Sequence, residues 1–128
     1  MKLKLKIAAI LLVVLISAMV LFAMVGLKEA LHVTIGQVDL ATIADGQYVG
    51  TYRNGRFSNT VTVTVLEHRI TDIVPEKAAD SGRQVVQTLV DSVITQQRAD
   101  VDAVAGATAT SLSLLKAVEN ALTGAQTP

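Results

Sequence analysis

Asn59-Thr60-Val61-Thr62-Val63-Thr64-Val65 alternates without a break: three valines fall on one face and three threonines on the other. Side chains of an extended chain point to opposite sides at successive residues, and β-branched residues favour the pleated surface. The stretch predicts a strand with one face buried and one polar. Upstream lies Asn54-Gly55, a hairpin turn signal, and before it Gln47-Tyr48-Val49-Gly50-Thr51-Tyr52, which reads as a strand entered from the turn Asp45-Gly46. Downstream, Glu67-His68-Arg69 turns the chain into a third strand over residues 70–74, ended by Pro75. Three short strands joined by tight turns predict an antiparallel meander.

Beyond Pro75 the period changes. Val85, Val86, Leu89, Val90, Val93 and Ile94 recur at helical spacing and predict a helix over residues 81–97. Residues 98–110 read as a loop, with room for a short strand at Val101. Leu112, Leu115, Val118 and Leu122 form a second apolar stripe, on a helix that starts near Thr110 or Ser111, either of which can cap it. Strands first and helices after them predict an α+β module: a small antiparallel sheet with helices packed on one face. The expected boundaries are 44–122 for the module, 28–43 for a stalk and 123–128 for a frayed tail of small and polar residues.

Residues 7–27 contain no charged side chain, and Lys2, Lys4 and Lys6 are the only charges before Lys28. Such a run is long enough to cross a hydrocarbon core of about 30 Å as a helix. The lysines predict that residues 1–6 stay cytoplasmic and that the module faces outward from a single-pass anchor. The rival reading, a cleaved signal peptide, calls for an apolar region of about 7–15 residues and a small-x-small cleavage site. This run is longer, and its end, Met24-Val25-Gly26-Leu27-Lys28, shows no clear site of that kind.

Composition narrows the chemistry. Hydrophobic residues are 51 % and charged residues 17 %, which points away from disorder. The formal net charge of zero gives no reason to expect nucleic acid as a partner. From Lys28 onward eight basic residues face eleven acidic ones, a mild net of −3. There is no cysteine, which removes disulfides, thiolate metal sites, a cysteine nucleophile and a lipoprotein anchor. The two histidines, His32 and His68, are too few for an all-histidine metal site.

The stretch that carries chemistry is Asp102-Ala103-Val104-Ala105-Gly106-Ala107-Thr108-Ala109-Thr110-Ser111. It is a glycine-containing turn of small residues leading into a helix N-terminus, and it holds three hydroxyls. Free N–H groups and the helix dipole favour an anion such as a phosphate there. The plain alternative is an ordinary loop and cap. The stretch lacks the Gly-Lys-[Ser/Thr] ending of a P-loop.

Asp102-x-x-Ala105-Gly106-Ala107-Thr108, followed by Thr110-Ser111, resembles the signature of the FMN-binding domain, found in flavin-bearing subunits of sodium-pumping NADH:quinone reductase and Rnf complexes and in membrane-anchored extracytoplasmic flavoproteins. Asp45-Gly46-x-Tyr48-x-Gly50, Val61-x-Val63-x-Val65, Ile70-Thr71-Asp72-Ile73 and Gln97 extend the likeness over most of residues 44–122. The resemblance implies FMN as cofactor, with Thr108 at the acceptor position of a phosphoester made by a dedicated flavin transferase that uses FAD and Mg²⁺. Asp102 falls on the motif aspartate, and Gly106, Ala107, Thr110 and Ser111 complete the implied cofactor-binding set. Ala105 stands where the family has Ser or Thr, and a methyl cannot replace that hydroxyl's hydrogen bonds. Covalent and noncovalent FMN therefore both stay open.

The resulting expectation is a membrane-anchored electron carrier rather than a stand-alone enzyme, with its redox donor and acceptor unidentified. The alternative is a membrane-tethered interaction module on the same fold without a redox cofactor. Tyr48 and Tyr52 share a strand face from which one ring can stack on a flavin, although a packing role fits them as well. Arg53 and Arg56 flank the hairpin tip, within possible range of a phosphate. Glu76, Lys77 and Asp80 read as a solvated loop and His68 as a solvated turn residue.

Overall fold

The computed structural model describes residues 1–24, 31–76 and 82–125. Three strands, β1 (Gly46–Tyr52), β2 (Asn59–Leu66) and β3 (Arg69–Pro75), form one antiparallel sheet in the order β1-β2-β3. Among the described residues the helices are α1 (Lys2–Met24), α2 (Arg83–Gln96) and α3 (Thr108–Ala125). The α+β meander with helices on one face is thus observed. The register is continuous from Gly46↔Val65 to Tyr52↔Asn59, and β2 pairs with β3 from Val61↔Pro75 to Leu66↔Arg69 with an irregularity at Thr64/Val65.

The alternation of β2 has its expected consequence. Val61, Val63 and Val65 are completely buried, while the threonines between them are half-buried on the opposite, helix-free face. The core closes over the valines with Leu114, Leu115, Val118 and Leu122 of α3 and Leu89 and Val93 of α2. Helix α3 lies directly along β1 and β2, and α2 contacts β3 and α3. Gly50 makes the close approach possible: a Cβ there would run into the Ala117 carbonyl and the Ala121 backbone nitrogen. At the β2–β3 turn Glu67 and His68 both have positive φ, 51° and 62°, the backbone of a two-residue primed hairpin. The β1–β2 connection is longer than a two-residue turn: it contains a short 3-10 segment, Gly55–Phe57, with Gly55 at φ 54°.

Four expectations need correction. Helix α3 starts at Thr108, ahead of the cap positions read at Thr110 and Ser111. Val101 is buried at 6 % exposure but lies in no strand. Residues 123–125 of the supposed tail belong to α3, and Ala125 is buried. Residues 31–43 of the supposed stalk do not stand clear of the module. Ile43 is a fully buried core residue, and Ile35, Val38 and Leu40 pack against the core. Lys116 Nζ donates to the Thr34 carbonyl at 3.2 Å, and Gln37 Nε2 donates to Asp100 Oδ2 at 3.3 Å. His68 Nδ1 faces the carbonyls of Ile43 at 3.1 Å and Leu40 at 3.3 Å, so that nitrogen carries the proton. His68 fastens this strap and is not merely a solvated turn residue.

Helix α1 is long and apolar enough to cross a membrane, and none of its side chains is buried by protein. At 23 residues it spans about 35 Å. The expected end of the apolar run, residues 25–27, lies outside the described residues, as do Lys77, Asp80 and residues 126–128.

Candidate functional site

The loop between α2 and α3 is held at both ends before it reaches the hydroxyl-rich motif. Gln97 ends α2 in a left-handed conformation at φ 55°, and its N–H donates to the Val93 carbonyl. Its side-chain amide clamps one residue of β3: Oε1 accepts from the Ile70 N–H at 2.7 Å, and Nε2 donates to the Ile70 carbonyl at 2.8 Å. Ala99 and Val101 are then buried in the core, which fixes the path up to Asp102.

The motif itself is a tight turn set against a helix. Ala107 N–H donates to the Val104 carbonyl at 3.0 Å, and Gly106 has φ 81°. A positive φ at the third residue of a β-turn is what a type II turn requires, and glycine adopts it without strain. Ser111 N–H donates to the Ala107 carbonyl at 2.8 Å, which closes the first helical bond and puts Thr108 at the first helical position. The Ser111 hydroxyl is completely buried and accepts from the Val104 N–H at 3.1 Å. Ser111 therefore ties the turn to the helix from inside, and it does not reach outward to a ligand. Thr110 is exposed on the first turn, and its carbonyl accepts from Ser113 Oγ at 2.9 Å.

Thr108, Gly106 and Asp102 are exposed, and Ala107 is half-buried. The backbone N–H groups of Thr108, Ala109 and Thr110 have no helical carbonyl to bond, because the helix begins with them. No atom lies within 4 Å of where a Gly106 Cβ would stand. An exposed hydroxyl, orphan N–H groups at the positive end of an 18-residue helix and open space over the preceding glycine together suit a phosphate ester. Exposed Ala105 takes no part in holding this turn, since the Val104–Ala107 bond and Ser111 already do so. The missing hydroxyl at that position thus concerns what meets the loop from outside.

Two half-buried polar contacts place the loop over the end of the sheet. Asn59 Nδ2 donates to Ser113 Oγ at 2.9 Å, and Asn120 Nδ2 donates to the Thr51 carbonyl at 2.9 Å. The N-terminal turn of α3 consequently lies at the pole formed by the end of β1, the hairpin tip and the start of β2. Tyr52 is at this pole. Tyr48 is near the other, with its hydroxyl donating to the Ala44 carbonyl at 2.6 Å. Of the two tyrosines, only Tyr52 stands at the same pole as Thr108; its hydroxyl accepts from Asn54 Nδ2 at 3.3 Å. An open cleft of about 430 Å³ lies at the same pole, lined by Thr51, Arg53, Ser58, Asn59, Thr60 and Glu76. Arg53 and Glu76, read from the sequence as separate surface charges, are brought together there. Among the described residues no cluster of three or more His, Asp or Glu stands ready for a metal ion.

Sequence reasoning missed the Asn59–Ser113 pair, the buried direction of Ser111 and the role of His68. All three depend on partners far away in the chain or across a turn, which no local pattern reports.

A family model described as the FMN-binding domain matches residues 26–123. The chain belongs to the FMN-binding domain family. FMN is its cofactor, and the Asp102–Thr108 motif lies inside the matched region, as does the strap over residues 31–43. No curated protein and no solved structure matches the chain. In this FMN-binding domain Thr108 follows a hydrogen-bonded turn.

Proposed function

We propose that this protein is a membrane-anchored, extracytoplasmic FMN carrier in electron transfer, with Thr108 as the point of flavin attachment. The observation that carries the reading is the exposed Thr108 hydroxyl on the first residue of α3, directly after the Gly106 turn. FMN, when bound, supplies the redox chemistry, and the protein supplies position and electrostatics. The α3 N-terminus and its free N–H groups would hold the phosphate, Gly106 would leave room for it, and Tyr52 would offer an aromatic surface. The Thr108 oxygen would attack the FMN-side phosphorus of FAD, forming the phosphoester as the pyrophosphate bond breaks and AMP leaves, with the hydroxyl proton passing to a base. A threonine hydroxyl needs a base or metal to act in this way, and the flavin transferase would provide it. Asp102 would orient the loop or help hold Mg²⁺ during that encounter. Helix α1, with its basic tip, would anchor the protein and keep the module outside.

Ala105 favours a second reading of the same site, in which FMN is held without the ester. Intact mass separates the two. The protein is made together with a flavin transferase and weighed before and after denaturation, beside Thr108→Ala. A retained increase equal to FMN less water, absent in the variant, is the expected result. A flavin spectrum lost on denaturation, with no mass increase, selects noncovalent FMN. The absence of both the mass increase and the flavin spectrum overturns the carrier reading.

A further inference from the structure

The two edges of the sheet are finished differently. The Thr60 carbonyl accepts from the Glu76 N–H at 2.8 Å, so the backbone groups of Thr60 point towards β3 and away from β1. Antiparallel partners alternate between bonded and non-bonded pairs along a continuous register. Thr51, opposite Thr60, therefore turns its N–H and C=O away from the sheet, and so do Val49 and Gln47. On the other side the same alternation turns Ile73 and Pro75 of β3 outward, and the Gln97 bonds show that Ile70 faces outward too.

The β3 edge is closed. Gln97 takes both backbone groups of Ile70, the Asp72 carboxylate accepts from the Ile73 N–H at 2.9 Å, and Pro75 has no N–H to offer. The β1 edge is open. Among the described residues its outward groups have one partner, Asn120 Nδ2 on the Thr51 carbonyl. Gln47 is exposed, and Val49 is 66 % exposed on the helix-free face. Strand β1 contains no charged residue, no proline and no bulge, the devices that keep an edge from pairing.

What fits this edge is a bare strand. The backbone of α3 at Ala117 and Ala121 touches Gly50, and Asn120 reaches round to the outward carbonyl of Thr51, so α3 stands directly over β1. A second copy of the module paired through β1 would bring its own α3 to one strand spacing, about 4.8 Å, whereas packed helix axes need about 8–10 Å. An extended segment with no helix above it meets no such obstacle. Charge sets its polarity. Exposed Asp45 and Arg53 stand just beyond the two ends of β1. An antiparallel segment, in the orientation of both existing strand pairs, meets Arg53 near its N-terminal end and Asp45 near its C-terminal end.

We propose that the outer edge of β1 docks an extended segment of a partner protein as a fourth, antiparallel strand: acidic near its N-terminal end, uncharged in the middle with an apolar residue opposite Val49, and basic near its C-terminal end. The stretch from Asp45 to Arg53 has that pattern itself and, as a free peptide, carries no helix. This peptide, acetylated and amidated, is the probe, and the same peptide with Asp and Arg exchanged is its control. Amide hydrogen exchange of the full chain in detergent micelles is measured with each at millimolar concentration. The probe is expected to slow exchange several-fold at Gln47 and Val49 and to leave Tyr48 and Gly50, already bonded to β2, unchanged; the control acts several-fold more weakly. Val49→Pro removes the central outward donor without touching a bond inside the sheet, so it is expected to abolish the slowing while the chain still melts cooperatively. Arg53→Glu, which asks nothing of the backbone, is expected to erase the preference between the two peptides. No slowing at Gln47 and Val49 overturns the proposal, as does equal action of both peptides on the native chain, a preference that survives Arg53→Glu, or slowing that survives in a cooperatively melting Val49→Pro chain. Light scattering of the chain alone runs beside these measurements: a dimer that Val49→Pro converts to monomer assigns the edge to a second copy and overturns the partner strand.

Discussion

Thr108 and Ser111 are three residues apart and carry the same functional group, yet the fold gives them opposite tasks. Thr108 is exposed and contributes little to packing, so Thr108→Ala is expected to leave the thermal midpoint unchanged to within about 0.5 kcal/mol of stability while losing any covalent flavin. Ser111 is fully buried, and its oxygen is the acceptor for the Val104 N–H. Removing it strands a backbone donor, which costs about 1–3 kcal/mol. Ser111→Ala should therefore lower the urea midpoint clearly and loosen the turn in front of Thr108. Gly50 gives the sharpest test. Gly50→Ala drives a methyl into the backbone of α3 at Ala117 and Ala121 and should cost about 3 kcal/mol or more, with little or no folded protein recovered. The three hydroxyls of the motif were legible as a group. Their individual roles were not, because Thr108, Thr110 and Ser111 all satisfy the local preference for a helix start. The deciding contact, from Ser111 back to Val104, is a matter of tertiary geometry.

The elements differ in how openly the sequence announces them. Strand β2 could be read to within a residue, since its valines and threonines segregate by face and leave no second register that buries the apolar set. Helix α2 was visible through its apolar stripe. The strap over residues 31–43 was invisible: its apolar residues have no helical or strand period, and Ile43 is buried only because His68 and the 3-10 segment Leu40–Thr42 turn it inward. The clamp between Gln97 and Ile70 belongs to the same class. It joins the end of α2 to β3 through two bonds from one amide, across 27 positions of sequence. Gln97→Ala removes both and is expected to cost about 1–3 kcal/mol. Amide hydrogen exchange at Ile70 should speed up more than at Val63, which lies on the central strand.

At the scale of the whole molecule, the strap makes residues 31–43 part of the folding unit. A chain beginning at Ala44 would lack Ile43, Leu40 and Val38 and would expose the core beneath them. Burying a single large aliphatic side chain is worth about 1.5–3 kcal/mol, a large share of what a domain this size retains. The shortened chain is expected to be protease-sensitive and to show no cooperative melt. A chain beginning at Leu31, without α1, should melt cooperatively and keep its ability to bind FMN. Circular dichroism on the two chains makes the comparison directly.

Helix α3 both fills the core and carries Thr108 on its first residue, so flavin attachment there, as proposed, would be coupled to folding. In an unfolded chain the motif is a flexible heptapeptide with no helix end behind it and no buried serine to hold its turn. If the transferase reads the shaped turn, only the native population is a substrate, and the flavin becomes a permanent record that a given chain had folded. Core variants far from the motif would then slow the labelling in proportion to the fraction of chains that are native. For Leu115→Ala, with an expected loss of about 2–5 kcal/mol, incomplete flavin loading would be the first visible symptom of a packing defect.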